Sequence, residues 1–587
     1  MARDSNLNAP DLRARAVKAA QGRAPFDILI TNARLLDMVT GRERNADIGL
    51  VEGLISSVHV PNAKRQARAI IDAAGRHAVP GLIDTHMHVE SSMITPSEYA
   101  AAVVPRGVTT AVWDPHEFAN VVGVAGVDYA IAAGRDLPLR FLTLAPTCVP
   151  SAPNFEMSGA DFGPAVIADL LGRGDIHGLA ELMTMQPLLS GDERVASIVN
   201  AGLASGKRVC GHARGLVGDE LAAYAAAGVQ TDHEITSATD LIARLEAGMT
   251  VELRGSHGHL LPAFVSALLE LGHMPQTITF CTDDVFPDDL LTHGGLDHMV
   301  RQMISHGLPA WWAYQAATLN AATRIGRADL GFIGPGRRAD IVLMDDLQNA
   351  KASLVVADGV VVANQDTLNQ QTSVFDPPIE LLSSVNVAEA RPEDFDIPAS
   401  GDTVEIRTLS KPRFPVWGRR QVRVVDGKLV LPDDMIRMAV SNRYGRNTPT
   451  RVAFLENWGT WRGAFATTVS HDSHNLTVFG RDPQDMALAA NTVRSTQGGM
   501  CVVADGKVIC KLPLPLAGLL SDAPLTETAA GFTALRDALD GLVDWEPPYL
   551  VFKALFGASL VCNAGPRLSD VGIVDPFEGI AYETVIL

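Results

Sequence analysis

The 587-residue sequence has few cysteines, no long apolar run and a deficit of positive charge. Its six cysteines lie far apart and form no Cys-x-x-Cys pair, which argues against a zinc ribbon or a dithiol redox site. Scarce cysteine is typical of a reducing compartment, so we expect a cytoplasmic protein. No run of about 18 apolar residues occurs, so no membrane span is predicted. The polar segment from Met1 to Arg23 lacks the apolar core of a secretory signal.

The charge and the composition narrow the class of protein further. A formal net charge of −19 disfavours binding to nucleic acid or to an anionic membrane, because both would repel the chain. The hydrophobic content of 47% is typical of a globular protein with large buried cores. The length predicts several domains, and barrel enzymes of this size often associate, so we expect a homo-oligomer.

Pattern changes along the chain predict its domains. Residues 1–25 are expected to form a helical N-terminal extension. Strand patterns broken by Asn, Asp and Gly at 26–80 and again at 330–368 predict one small β-sandwich domain that is split by the middle of the chain. Residues 369–401 are rich in Pro, Asp and Glu and are interpreted as a linker. Residues 402–587 are expected to form a C-terminal α/β domain.

The middle of the chain, residues 81–329, alternates apolar strand-like runs with Ala-rich helical runs. Such alternation over roughly 250 residues is typical of a (β/α)8 TIM-like barrel, whose catalytic groups stand at the carboxyl ends of the strands. The strand candidates are 78–83, 108–114, 139–144, 178–181, 208–212, 230–233, 249–253 and 277–283.

The first of these strands carries a pair of histidines. Residues 79–90 read VPGLIDTHMHVE, in which His86 and His88 follow an apolar run. Residues two apart in a strand point to the same face, so both imidazoles can reach one metal ion. A His-x-His pair is a weak signal alone, because two histidines also fall near each other by chance.

The ends of later predicted strands carry further residues of the types that bind metal ions. Glu181, His212, His233 and Asp283 each end a predicted strand and face the same rim. Any one of them could be a core histidine or a helix-capping aspartate. Together with the first pair they suffice for two divalent ions, with Glu181 bridging both and a position on each ion left open for water. Manganese, iron and zinc all suit such donors.

The chain also resembles a known family. The order His-x-His, Glu, His, His, Asp within a barrel is similar to that of the amidohydrolase superfamily. The segments 80–92 (PGLIDTHMHVESS), 112–121 (VWDPHEFANV) and 281–290 (CTDDVFPDDL) resemble its adenine deaminase branch more closely. The resemblance continues through 469–476 (VSHDSHNL) and 496–500 (TQGGM), and therefore covers most of the chain from about residue 26 onward. It implies metal ligands at His86, His88, Glu181, His212, His233 and Asp283.

The resemblance implies hydrolysis of adenine to hypoxanthine and ammonia, a purine salvage reaction, by attack of a metal-bound hydroxide on C6. Asp283 would lie beside this hydroxide and is the natural proton-transfer group. Attack on C6 raises the charge on ring N1, so an acid must protonate the ring. His116 and Glu117 are the first candidates, although they could instead only order the rim. Glu90 and Asp284 are weaker candidates.

Other polar residues are candidates for contact with the substrate. Arg214 and the turn 254–256 could supply ligand contacts. The cluster 471–474 lies outside the barrel, and could either reach over its mouth or form an internal hydrogen-bond network. His257 and His259 flank a glycine in a turn pattern and are not counted as ligands. The predicted substrate-contact residues are Glu90, Arg214, Asp284, His471, Ser473 and His474.

Two other functions remain open from the sequence. Another amidohydrolase reaction, such as amino-sugar deacetylation or the opening of a cyclic amide, is the nearer one. Cyclic amidases of this superfamily usually carry a carboxylated lysine where Glu181 stands, and deacetylases would not be expected to have the domain after residue 400. A non-catalytic barrel scaffold is the other, but it should have lost ligands. The zinc-deaminase pattern His-x-Glu with Pro-Cys-x-x-Cys is absent.

Overall fold

The structure is a computed structural model. It describes residues 5–369, 375–412, 414–446, 448–544, 551–582 and 585–587. Residues 1–4 of the predicted N-terminal extension and 370–374 of the predicted linker therefore lie outside the described residues.

A helix and a sheet precede the barrel. Helix α1 spans Pro10–Ala20 and buries Leu12, Ala16 and Ala19 against the sheet. These three positions recur at helical spacing, so one face of α1 is apolar. The first strands of the sheet are β1 (Phe26–Leu36), β2 (Glu43–Val51), β3 (Leu54–His59), β4 (Ala67–Asp72) and β5 (His77–Pro80).

Parallel strands between residues 82 and 281, a stretch that is described throughout, close into a barrel. The eight strands are β6 (Leu82–Met87), β7 (Val108–Trp113), β8 (Arg140–Thr143), β9 (Gly178–Leu182), β10 (Arg208–Gly211), β11 (Thr231–Asp232), β12 (Thr250–Arg254) and β13 (Ile278–Cys281). The ring closes beside β6, where the backbone N–H of Asp283 donates to the carbonyl of His86 at 3.0 Å. The predicted TIM-barrel-like α/β fold is confirmed.

Helices connect the barrel strands and cover them on the outside. Some begin at side-chain caps; for example, Asp192 accepts a hydrogen bond from the backbone N–H of Val195. The helices are α2 (Pro96–Val103), α3 (His116–Val122), α4 (Val124–Gly134), α5 (Pro164–Leu171), α6 (Met185–Leu189), α7 (Glu193–Ala204), α8 (Gly218–Ala226), α9 (Ala238–Glu246), α10 (Leu261–Leu271), α11 (Pro287–Thr292), α12 (Leu296–Ser305), α13 (Ala310–Gln315) and α14 (Ala321–Arg324).

After the barrel the chain returns to the first sheet. It adds β14 (Ile341–Asp346), β15 (Lys351–Ala357), β16 (Val360–Asn364) and β17 (Thr367–Leu368). β14 runs antiparallel to β5, with Ile341 opposite Pro80. Because β5 leads directly into β6, this pairing brings both ends of the barrel segment to the same sheet. The sheet is hydrogen-bonded in the order β17-β16-β15-β14-β5-β1-β2-β3, with β4 paired to β1.

The C-terminal part is built around a second mixed sheet. Its strands are β18 (Thr403–Ser410), β19 (Val416–Val425), β20 (Lys428–Val430), β21 (Met435–Ser441), β22 (Arg451–Glu456), β24 (Ala464–Thr467), β25 (Leu476–Gly480), β26 (Gly499–Ala504) and β27 (Lys507–Pro513), with the short β23 (Thr460–Trp461) beside them. Smaller elements follow or flank it: α15 (Ile379–Leu382), α16 (Pro483–Ser495), α17 (Leu525–Asp540), α18 (Val551–Phe556), β28 (Val543–Asp544), β29 (Arg567–Ser569), β30 (Gly572–Asp575) and β31 (Ile580–Tyr582).

This C-terminal part contacts the mouth of the barrel. The side chain of Asn475, in the turn between β24 and β25, donates to the carbonyl of Met157 at 3.0 Å. The backbone N–H of Met157 in turn donates to Asp570 at 3.0 Å. The turn 468–475 and α18 therefore form a wall above the carboxyl ends of the barrel strands. No helix among the described residues is long and apolar enough to cross a membrane.

Candidate metal centre and active site

The carboxyl ends of the barrel strands bring all six predicted metal ligands together. β6 carries the first histidine and leads into the second, β9 carries the glutamate, and the other three follow β10, β11 and β13. All six side chains are buried, with relative exposures of 5% or less. They are His86, His88, Glu181, His212, His233 and Asp283.

The first group of donors surrounds one position. His86 Nε2 lies 3.5 Å from Asp283 Oδ1 and 3.6 Å from Glu181 Oε1. His88 Nε2 lies 3.4 Å from each of the same two oxygens. Ligands bound tetrahedrally at about 2.0–2.2 Å from zinc are separated from one another by roughly 3.3–3.6 Å. The spacing of these donors therefore fits a divalent ion.

The second group shares Glu181 with the first. Glu181 Oε2 lies 2.7 Å from His212 Nδ1 and 3.3 Å from His233 Nε2. Its other oxygen, Oε1, faces His86 and His88. One carboxylate thus presents one oxygen to each group, which is the geometry of a bridging ligand.

Unsatisfied polar atoms support the fit of these groups to metal ions. His86 Nε2 is buried without a hydrogen-bond partner among the described residues, although buried ring nitrogens are normally paired. His88 Nδ1 lies 3.0 Å from the carbonyl of Asp114. A hydrogen bond donated there fixes the tautomer, so the Nε2 lone pair is left for an ion.

The carboxylates are held ionised by their surroundings. Burial raises the pKa of Asp283, but the Arg254 guanidinium and the neighbouring histidines outweigh it and hold that pKa well below its usual range. Burial also raises the pKa of Glu181, and contacts with His233, His212 and His88 bring it well below the usual range. Two ionised carboxylates among imidazoles are a donor set of the kind that attracts divalent cations.

Arg254, at the end of β12, organises this part of the rim. Its guanidinium forms ion pairs with Asp283 Oδ2 and, at 2.9 Å, with Glu234 Oε1. Asp283 Oδ1 is the oxygen that faces His86 and His88. The structure therefore places this predicted ligand-contact residue against the predicted metal ligand Asp283, where it fixes which oxygen faces His86 and His88.

A cavity of about 140 Å³ opens beside the six ligands, and a second cavity of about 630 Å³ adjoins it. The two share Ser256, His257, Asp284, Phe286 and Lys553 on their walls. Among the predicted catalytic and substrate-contact residues, the smaller cavity is lined by His116, Glu117, Arg214, Asp283, Asp284 and His471.

His116 connects the metal ligands to the C-terminal wall. Its Nδ1 lies 3.1 Å from Asp114 Oδ2 and 3.8 Å from Glu181 Oε1. Its Nε2 lies 3.9 Å from Asp472 Oδ1, on the turn between β24 and β25. Burial lowers the pKa of His116, but the neighbouring Asp114 carboxylate outweighs it and raises the value to about 10.

Glu117 lies beside two histidines of the same turn. Its Oε1 is 3.2 Å from His471 Nδ1, and its Oε2 is 3.9 Å from His474 Nε2. Burial raises the pKa of Glu117, and the nearby His471, His88 and His116 act against that rise. The cluster 471–474 therefore does reach over the barrel mouth, and it places His471 on the cavity wall.

Three predicted substrate-contact residues lie behind the wall of the cavity. Glu90 accepts hydrogen bonds from Trp113 Nε1 at 2.8 Å and from the backbone N–H of Phe118 at 3.3 Å, because the 3₁₀ turn Glu90–Ser92 directs it away from the metal ligands. Ser473 Oγ accepts from Asn475 at 3.3 Å. His474 is fully buried. The structure does not bring these three to the cavity.

Several polar residues of the cavity wall are not among the predicted substrate contacts. Asp472 is one of them, and it stands within the cluster 471–474. Lys553, Asn563 and Arg567 come from the C-terminal part and also line the cavity. No local motif marks them, and only the packing of the C-terminal part onto the barrel brings them there.

Comparisons with known proteins agree with this architecture. Residues 78–364 match the amidohydrolase family, and residues 416–578 match the adenine deaminase C-terminal domain. The chain is 56% identical to adenine deaminase 2 of Rhizobium meliloti, over 99% of this chain and 98% of the relative. It is 47% identical to adenine deaminase of Klebsiella pneumoniae, over 96% and 94% of the two chains. The chain belongs to the adenine deaminase family of amidohydrolases.

Proposed function

We propose that this protein hydrolyses adenine to hypoxanthine and ammonia. The observation that carries the proposal is the pair of donor groups that share Glu181 beside a cavity of about 140 Å³. Relatives of 47–56% identity that span nearly the whole chain are adenine deaminases, which specifies the substrate.

Two divalent ions, of manganese, iron or zinc, are the proposed cofactors. His86, His88 and Asp283 would hold one ion, His212 and His233 the other, and Glu181 both. When bound, such ions lower the pKa of a coordinated water to about 7 and so make a nucleophile available at neutral pH. Bound cations would also give the buried donor atoms partners, and would thereby remove the free-energy cost of leaving these atoms unpaired.

Asp283 is the proposed proton-transfer group. It would take a proton from the attacking water and give it to the departing amine. Its ion pair with Arg254 Nη1 fixes its orientation, so Oδ1 stays directed toward His86 and His88. A carboxylate held this way needs no reorientation between the two proton transfers.

Residues on the opposite wall of the cavity would bind and protonate the purine ring. His116 and Glu117 start α3, close to the metal ligands, and are the proposed acid–base pair for ring N1. Arg214, Asp284 and His471 line the cavity and are the proposed substrate contacts. Glu90, Ser473 and His474 would support this wall from behind, since they form hydrogen bonds with protein groups.

The other features predicted from the sequence are also retained as proposals. They are a homo-oligomer in the cytoplasm that binds neither nucleic acid nor membrane, and a division into an N-terminal extension, a split β-sandwich domain, the barrel, a linker and a C-terminal domain. All six cysteines are free thiols, as expected in a reducing compartment. Light scattering of the purified chain would give its oligomeric state.

A substrate panel tests the function. Purified protein loaded separately with manganese, iron or zinc is mixed with adenine, N-acetylglucosamine 6-phosphate or dihydroorotate. We expect a change in ultraviolet absorbance, with release of ammonia, for adenine alone. Turnover of the amino sugar or of the cyclic amide would favour another amidohydrolase reaction, and no turnover of any of them would favour a scaffold.

A further inference from the structure

Glu117, at the start of α3, is among the most enclosed acids of the cavity wall. Its side chain is 1% exposed, and neither carboxylate oxygen has a hydrogen-bond partner among the described residues. Glu117 lines the cavity, but both of its carboxylate oxygens are buried from solvent. Glu117 is therefore suited to holding a neighbouring side chain in position.

His471 is the neighbour in position to be held. Its Nδ1 lies 3.2 Å from Glu117 Oε1 and 3.7 Å from Asp472 Oδ1. Two carboxylates facing Nδ1 favour a proton on that nitrogen, which leaves Nε2 as the nitrogen available to the cavity. The side chain of His471 is 18% exposed and lines the cavity together with Asp283.

The other imidazoles of this wall differ from His471 in exposure. His474 is fully buried, and its Nδ1 accepts a hydrogen bond from the backbone N–H of Ser470 at 3.3 Å. His116 is 4% exposed and directs Nδ1 to Asp114. His471 is thus the imidazole of this wall with the greatest access to the cavity.

The backbone of His471 is also fixed. Its N–H donates to the carbonyl of Phe556, at the end of α18, at 2.9 Å. Its carbonyl accepts a hydrogen bond from Ser559 Oγ at 3.2 Å. The imidazole is therefore anchored by the C-terminal part, while the carboxylate that orients it comes from α3 of the barrel.

We propose that His471 delivers the proton to ring N1, with Glu117 as the carboxylate that orients its imidazole. This inference rests on the proposed function. It assigns the proton for ring N1 to His471 in place of His116, and it gives Glu117 an orienting role in place of direct contact. The arrangement repeats, across two domains, the carboxylate–imidazole pairing that fixes the tautomer of catalytic histidines. It also gives the C-terminal domain a chemical role.

The proton transfers balance over one turnover. Attack of water forms the C6–O bond and moves a ring electron pair to N1, which takes the Nε2 proton of a His471 imidazolium; the ring keeps its Nδ1 proton, which faces Glu117. Cleavage of the C6–N bond releases ammonia, whose third hydrogen is the water proton held at Asp283. The second water proton returns through cavity water to His471, so the histidine ends the cycle as it began.

Chemical rescue tests the assignment. We expect His471→Ala to lower kcat by about 10²–10³, the range typical of a lost acid or base, with KM changed less than threefold and two ions still bound. Imidazole added at constant pH should raise the rate of this variant at least tenfold. His259→Ala, which removes an exposed histidine from the adjoining cavity, is the matched control and should show neither effect.

A second variant separates the two roles. Glu117→Gln should also lower kcat, but imidazole should not rescue it, because His471 still occupies its place. The double variant should be no slower than His471→Ala, since the two residues act as one unit. A double variant slower by the product of both effects, or a His471→Ala enzyme that keeps its metal but ignores imidazole, would overturn the assignment.

A fallback variant and the activity of the wild type separate failure of this inference from failure to fold and from failure of the proposed function. Should His471→Ala fail to fold, His471→Gln preserves the side-chain bulk and is read by its kcat and bound metal alone, since its amide fills the space that imidazole would need; a normal kcat would overturn the assignment. A wild-type protein that leaves adenine unchanged would contradict the proposed function itself, whereas a fully active wild type with an equally active His471→Ala would contradict only this inference.

Discussion

The two walls of the cavity are built in different ways. On the barrel wall, His86, Glu181 and Asp283 stand on or just after strands whose carboxyl ends meet at one rim. On the C-terminal wall, His471 and Lys553 come from a turn and a short helix that pack onto the barrel from another domain. The first wall is fixed by local strand geometry and the second by packing between distant segments. The predicted metal ligands and the proposed ring contacts therefore have separate structural origins.

The largest effect is expected from substitution of Glu181, which both groups of donors on the barrel wall share. Glu181→Ala removes donors from both groups, so the variant should retain well below one ion per chain and no measurable deamination. His86→Ala, which contributes to one group, should lose about one ion. Elemental analysis together with the adenine assay gives both quantities. Full metal content in Glu181→Ala would show that Glu181 is not the bridge.

Asp283→Asn tests proton transfer on the same wall with less disturbance to metal binding. An amide can still donate an oxygen to an ion but cannot take a proton from water. We therefore expect kcat to fall by several powers of ten while the fold is maintained. Steady-state kinetics and circular dichroism measure the two effects. A near-normal rate would refute the role of Asp283 as the proton-transfer group.

Substitution of Arg244, which supports the second group of donors from below, should have an intermediate effect. Arg244 is fully buried, and its Nε donates to Asp232 at 2.6 Å, whose other oxygen accepts from the backbone N–H groups of Ala213 and Glu234. Those groups belong to the residues that follow His212 and His233, so Arg244 positions both predicted ligands. Arg244→Met should weaken binding of the second ion about 10–100-fold.

The same variant should lower the free energy of unfolding by about 3–5 kcal/mol, because Asp232 is left buried without its cation. Metal titration and denaturant unfolding measure the two effects. The exposed Arg68, substituted by methionine in the same way, is the control and should change neither quantity.

The smallest effect concerns the junction of the two domains. Burial raises the pKa of Glu156 to about 8, and a hydrogen bond from Ser151 offsets only part of that rise. A carboxyl whose folded pKa is raised binds more protons in the native state, so its contribution to stability is present at low pH. That contribution is lost as the pH rises from about 4.5 towards 8.

Glu156→Gln removes this proton linkage. Its Tm should fall less than that of the wild type between pH 6 and pH 8, by a few degrees in differential scanning calorimetry. Glu193→Gln, at an exposed helix start, serves as the control. Parallel pH profiles for Glu156→Gln and the wild type would show that Glu156 does not titrate in this range.

The sequence predicted one wall far better than the other, for a physical reason. His86 and His88 could be placed because alternation in a strand fixes which side chains share a face. Glu90, only two residues later, lies off the cavity wall, because a 3₁₀ turn follows the strand and directs the side chain towards Trp113. Once the regular element ends, the alternation no longer applies.

The C-terminal wall depends on contacts that no local pattern contains. The side chains of Glu117 and His471 approach to 3.2 Å although several hundred residues of chain separate them. The cluster 471–474 signalled some role, but the sequence left open whether it faced the cavity or the interior. His471 faces the cavity, whereas His474 lies behind it.

The central claim is that two ions held by the barrel wall enable hydrolysis of adenine. Its most direct test is a titration of metal-free protein with manganese, in which bound ions per chain and adenine turnover are measured on the same samples. We expect two ions per chain at saturation, and turnover that rises with their binding and stays absent in Glu181→Ala. Saturated protein that leaves adenine unchanged, or metal-free protein at full rate, would contradict the claim.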